Sequence, residues 1–220
     1  MSAPDHDEFK IAELLCARLC HDLAGPVGAA AAGAELLEET GGDGETLGLV
    51  ADSAAGAAAR LKFLRAAFAP TAKDQPAAAI RDLVESYLKR TVSASSAGLV
   101  LAWRVDAGEL SADLARLIVN VVLIGRDALS RGGTITIAAG SGRGARLTMT
   151  ASGDVANLDD EARAVLVDGR DASGPRGAQA VLTRQLAARA GGTLSVRADS
   201  TRVELRLEDE SGDVYSDSNG

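Results

Sequence analysis

Two long stretches near the N-terminus repeat their apolar residues at steps of three and four, the spacing of helices that bury one side. In the first, residues 8–40, Leu15, Leu19, Leu23, Pro26, Val27 and Ala30 fall on one side of a helical wheel. In the second, residues 45–68, Leu47, Val50, Ala54, Ala57, Leu61, Leu64 and Phe68 form a heptad seam. Gly41, Gly42 and Gly44 around Asp43 supply a C-cap and a turn between them. The pattern predicts an antiparallel helical hairpin. One hairpin covers its seam poorly, whereas two side by side make a four-helix bundle, so a homodimer is expected.

The segment "APTAKDQPA", residues 69–77, carries two prolines and ends the second helix. A first domain is therefore drawn at residues 1–70 and a linker at 71–75. From 76 to 207 the pattern is mixed α/β. Residues 77–89 read as a helix and 99–105 as a strand. Residues 111–129 read as a long apolar helix with Ser111 as its N-cap. Residues 132–151 alternate like a β-hairpin around Gly140, Gly142 and Gly144. A short helix at 159–166 and a longer one at 179–190 follow, and strands at 193–198 and 202–207 close the domain. The acidic stretch 208–220, "EDESGDVYSDSNG", is expected to be disordered. The fold class predicted is thus a helical hairpin in a dimeric four-helix bundle, followed by an α/β sandwich.

Composition narrows the partners. Hydrophobic residues make up 46% of the chain but aromatics only 3%, which favours thin, closely packed helices of Ala, Leu and Val. A net charge of -8 and a pI near 4.8 argue against nucleic acid or an anionic membrane, because both reward a basic patch. No apolar run is long enough to span a bilayer. The start, "MSAPDHDEFK", is too acidic for a signal peptide, and Cys16 and Cys20 do not make a disulfide framework. These features predict a reduced, cytoplasmic protein. Cys16, Cys20 and His21 fall short of a zinc set that only His6 could complete, so no metal is expected and both cysteines should be buried or half-buried.

The stretch "LCHDLAGPV", residues 19–27, carries one of only two histidines, followed at once by an acid. His21 falls opposite the apolar stripe, on a face shared with Leu14, Ala17, Arg18, Ala24, Gly25, Gly28 and Ala32. Such a face can be approached by another protein. Asp22 is placed to accept a hydrogen bond from Nδ1, fix the tautomer and leave Nε2 free to attack. Gly25 and Gly28 are unfavourable inside a helix by up to about 1 kcal/mol each, and Pro26 by more, with a kink expected. Either a shape requirement after His21 or tight helix packing accounts for them. Taken alone, the pair is also compatible with a surface histidine without a role.

The rest of the chain shifts that balance. "ARLCHDLAGPVGAAAAGAELLEE" resembles the phosphoacceptor helix of two-component histidine kinases, with His21, Asp22, Leu23 and Pro26 matching. "IVNVVLIGRDALSRGGTITI", residues 118–137, resembles a motif of their GHKL-type ATP-binding domain through Asn120, Arg126, Asp127, Ala128, Gly132 and Gly133. The departures are instructive. Ile124 stands where a magnesium-ligating asparagine is expected, and Ala151 replaces the acid of the adenine-reading motif that ends at Gly153. Of the glycine-rich lid only Gly174 and Gly177 remain.

A phosphoacceptor histidine joined to a degenerate ATPase-like domain is similar to the ChpT-type histidine phosphotransferases. That resemblance implies a relay without ATP. His21 would take a phosphoryl group from the receiver domain of a hybrid histidine kinase and pass it to response-regulator receivers. Magnesium would come with the receiver, and no cofactor would belong to this chain. Arg18 is expected to neutralise phosphate or to pair with the receiver. Leu14, Ala17 and Gly25 are expected at the docking surface, and Asn120 in a structural role. Two other readings stay open: a weakly active histidine kinase or phosphatase, and a dimeric adaptor without catalysis.

Overall fold

The repeating leucines of the N-terminal region do build two long helices, α1 (His6–Thr40) and α2 (Gly44–Phe68), packed along each other. The computed structural model describes residues 6–41, 44–91, 98–140 and 146–209. Gly41 stops α1 in the left-handed conformation, φ 76°, which a residue with a side chain rarely adopts. Gly33 lets α2 come close, since a Cβ there would lie 2.7 Å from Cγ2 of Val50. Helix α1 runs unbroken through Pro26. The seam is only partly covered. Leu15, Leu19 and Leu23 are half-buried, while Val27, Leu36, Leu47 and Leu61 remain at least 44% exposed.

After the hairpin come β1 (Gln75–Pro76), α3 (Ala77–Thr91), β2 (Leu99–Val105), β3 (Glu109–Leu110) and α4 (Ala112–Ala128). Next are β4 (Gly133–Ala139), β5 (Leu147–Ser152), α5 (Asp160–Leu166), α6 (Pro175–Arg189), β6 (Gly192–Ala198) and β7 (Arg202–Asp209). Five strands form one sheet in the order β2-β4-β5-β7-β6. Strand β2 runs parallel to β4, and every other neighbour is antiparallel. The helices lie on one face of this sheet. Ile135, Ile137, Leu147, Met149, Leu205 and Leu207 alternate inward from the strands, as the two-residue period requires. They meet α4, whose segment from Ala115 to Gly125 is buried throughout. Ser111 caps α4 by accepting a hydrogen bond from the Leu114 amide at 3.3 Å.

The core does not stop at the prolines. Phe63, Leu64 and Ala67 of α2 are fully buried within the same cluster as α3, α4 and the sheet. The Phe63 ring stacks on Tyr87 of α3, with centroids 3.9 Å apart and planes 11° from parallel. Among the described residues no helix is long and apolar enough to cross a membrane.

Three elements depart from the sequence reading. Helix α6 starts at Pro175, not at 179, because proline suits the first helical position and needs no amide partner there. Gly177 therefore lies in the first turn of a helix and not in a lid loop. Strand β7 continues to Asp209, so Glu208, expected in the polar tail, pairs with Thr193. Residues 210–220 lie outside the described residues, as do 141–145 with two of the three hairpin glycines. The small pair β1–β3, with Gln75 opposite Leu110, has no periodic signal at two residues each.

Candidate phosphoacceptor site

Helical geometry sets the direction of each group around His21. Residues 18, 21, 22 and 25 occupy adjacent positions on one side of α1, one turn apart or less. The His21 side chain is 85% exposed, and its Nδ1 lies 3.2 Å from Oδ1 of Asp22. Asp22 is more sheltered, at 18%, and its Oδ2 lies 3.7 Å from Nε of Arg18. Arg18 in turn is buried and donates from Nη2 to Oδ2 of Asp127 at 2.6 Å. Asp127 comes from the far end of α4, so this contact joins the hairpin to the α/β domain.

Asp127 gathers further cations. Arg126 donates from Nη1 to its Oδ1 at 2.9 Å, and Nε of Arg176 on α6 lies 3.5 Å from its Oδ2. Burial alone would raise the Asp127 carboxyl, but Arg18 and Arg126 outweigh it and hold the group below the usual carboxylate range. Tyr87 lies beside this cluster, and burial pushes its phenol up to about 12, so it stays uncharged.

Beside His21, the hairpin and the α/β domain enclose an open cleft of about 570 Å³. Ala17, Gly25 and Pro26 line it from α1, so the small residues around the histidine keep the cleft clear. Arg60 and Leu64 line it from α2, and Arg126, Glu161 and Arg176 from the other domain. Arg126 and Arg176 are engaged by carboxylates, whereas Arg60 has no ion-pair partner among the described residues.

The positions that resemble a nucleotide site are closed. Ile124 is buried and shares a small cavity with Leu158, Ala162 and Gln179. Ala151 is fully buried under α4, where Gly125 allows close approach. Gly153 sits against the Gly132 carbonyl, 2.8 Å from where its Cβ would be. Asn120 is wholly buried and donates to the carbonyls of Ala67, at 3.0 Å, and Arg116, at 2.9 Å, tying the end of α2 to α4. At the start of α6, Gly174 offers no capping side chain. Glu161 of α5 does this from outside, accepting from the amides of Arg176 at 3.0 Å and Gly177 at 3.2 Å. Its carboxylate thus fills a helix N-terminus of the kind that binds phosphate.

Several expectations are corrected by this geometry. Arg18 does not face a partner. Tertiary packing turns its side of α1 toward the α/β domain, where it is buried against Asp127. Leu14 is half-buried against the core for the same reason and is not an open docking residue. Cys16 and Cys20 are exposed, neither buried nor half-buried. Among the described residues no group of three or more His, Cys, Asp or Glu is arranged to hold a metal. Arg60 and Glu161 were not singled out from sequence. Arg60 sits one residue before the heptad position Leu61, and nothing in the acidic run 159–161 marks a cap fifteen residues away.

The sequence model of a family described as histidine phosphotransferase C-terminal domain matches residues 77–202. The chain belongs to the histidine phosphotransferase family. The matched region is the α/β domain, and His21 lies outside it. The protein phosphotransferase ChpT of Brucella abortus (strain 2308) is 35% identical over 141 residues. That alignment covers 64% of this chain and 66% of the relative, just under two thirds of its length. A bacterial phosphotransferase solved at 1.7 Å superposes with a TM-score of 0.77 at 25% identity. It covers 94% of this chain and 98% of its own. The likeness to a phosphotransferase therefore runs through the hairpin as well as the α/β domain.

Proposed function

We propose that this histidine phosphotransferase is a phosphorelay protein that carries its phosphoryl group on His21. The observation that supports this best is the division of labour on the imidazole. Nδ1 faces Asp22 at 3.2 Å, and the remaining ring nitrogen projects from a side chain that is 85% exposed. Nε2 attacks the phosphorus of an aspartyl phosphate on a receiver domain. An N–P bond forms, the P–O bond to the receiver breaks, and its carboxylate leaves. The ring keeps its proton on Nδ1 and gains positive charge, which Asp22 stabilises. A second receiver's carboxylate then attacks phosphorus and releases the neutral imidazole. Both steps depend on alignment and charge neutralisation. Arg60 takes the part first expected of Arg18, as the unpaired cation facing the phosphoryl group. Magnesium belongs to the receiver.

The donor in this reading is the receiver of a hybrid histidine kinase, the acceptors are response-regulator receivers, and the setting is the cytoplasm. ATP has no part in it. Ile124 offers no ligand to magnesium, Ala151 offers no acceptor to adenine, and Glu161 opposes a phosphate at α6 by charge as well as by volume. The exposed Val27, Leu36, Leu47 and Leu61 support a second copy along the hairpin, and sedimentation equilibrium measures it.

The relay is tested by mixing the protein with a phosphorylated receiver and Mg²⁺, without free ATP, and following acid-labile phosphate. Label should reach the wild type and not His21→Ala. No transfer from any cognate receiver returns the protein to an adaptor. Label taken from ATP without a receiver makes it a kinase.

A further inference from the structure

Four side chains stand in line from the α/β domain to the imidazole. Asp127 holds Arg18 at 2.6 Å, Arg18 lies 3.7 Å from Asp22, and Asp22 lies 3.2 Å from His21. The two oxygens of Asp22 are used separately, Oδ1 toward the ring and Oδ2 toward the guanidinium. The line begins on two buried groups and ends on an open one. Asp127 is 6% exposed, Arg18 5%, Asp22 18% and His21 85%.

An isolated carboxylate beside a solvent-facing imidazole makes a weak contact and rotates away easily. It would not hold one tautomer. A buried guanidinium locked from behind by Asp127 removes that freedom, because Arg18 can neither move to water nor change partner without stranding charge. Arg126 and Arg176 fix Asp127 in turn.

We infer that Asp127 and Arg18 are positioning residues for phosphoryl transfer. Through Asp22 they keep the proton of His21 on Nδ1 and present Nε2 to the incoming phosphorus. The inference rests on the relay reading of His21 and gives the α/β domain a task at the phosphoacceptor itself. It also explains why Arg18, one turn from His21, is turned toward the α/β domain.

The test uses the full chain, labelled with ¹⁵N. Long-range ¹H–¹⁵N correlations at a pH where the ring is neutral report which His21 nitrogen carries the proton. In the wild type it should be Nδ1. Arg18→Ala leaves Asp127 still paired with Arg126 and Arg176, and Asp22 keeps its contact with His21, so the fold is retained. In that variant the population should move toward the Nε2–H form, and kcat for receiver-to-histidine transfer should fall roughly tenfold with KM unchanged. Arg18→Lys should restore part of both, since a lysine keeps the charge without the fork. Asp127→Asn should shift both readouts the same way. An unmoved tautomer in Arg18→Ala, or a moved tautomer with unchanged kcat, overturns the inference. The tautomer needs no receiver, so failure of the wild type to take label sinks the relay reading separately.

Discussion

One cleft contains two seats for a negatively charged group, and the chain treats them in opposite ways. At His21 the surroundings are small, the imidazole is 85% exposed, and Arg60 faces in without a carboxylate of its own. A short way across the same cleft, the amides of Arg176 and Gly177 at the start of α6 already hold Glu161. The first seat is open to solvent. The second is satisfied from within. The difference teaches that a carboxylate from within the fold can take a helix N-terminus that would otherwise be open to an outside anion. A bare helix N-terminus is an anion site by default, and here a carboxylate from the neighbouring helix neutralises it.

The sharpest break between the two seats is the single replacement that removes the imidazole from the open one. His21→Ala should abolish uptake of receiver phosphate altogether. Phe63→Ala comes next in size. It removes the ring stacked on Tyr87 where hairpin and α/β domain share their core, and should lower unfolding stability by about 3–5 kcal/mol in a urea titration. It tests whether the cleft walls are one cooperative unit.

The acid branch of the stability curve sharpens the contrast further. The folded Asp127 carboxyl lies below its ordinary value of 3.8, so its ion pairs contribute stability above that pH. The contribution is lost as the pH falls through the lower, folded value. The urea midpoint should drop on acidification below about pH 4, and Asp127→Asn should flatten that drop. The smallest effect belongs to the filled seat. Glu161→Ala should lower stability by about 1 kcal/mol, the worth of one helix cap, measured by the same titration. Equilibrium dialysis should still find no ATP retained, because Ile124 and Ala151 are unchanged.

The contrast between the seats follows the range over which information runs along the chain. Residues 19–27 placed a histidine, an acid and small neighbours on one helix face, and the structure has them there. Arg18 was placed on that same face by the same arithmetic. The arithmetic held, but a helix wheel carries no record of what covers each face. A second domain covers the part occupied by Leu14 and Arg18 and leaves His21 open. The pattern of Asn120 within an apolar helix predicts a structural role, and its bond to the Ala67 carbonyl supplies one.

What the sequence by itself determined is therefore local. It includes the two periodic helices, the Ser111 cap, the alternation of β4 and β5, the His21–Asp22 pair, and the substitutions at Ile124 and Ala151. Each depends on residues a few positions apart or on one residue's own chemistry. Tertiary structure alone decided that Arg18 is held by Asp127, 109 residues away, that Glu161 caps a helix beginning at Pro175, and that Arg60 looks into the cleft. Such contacts arise where burial forces charged groups from distant segments to find partners, and no periodicity along the chain encodes which partner each will find.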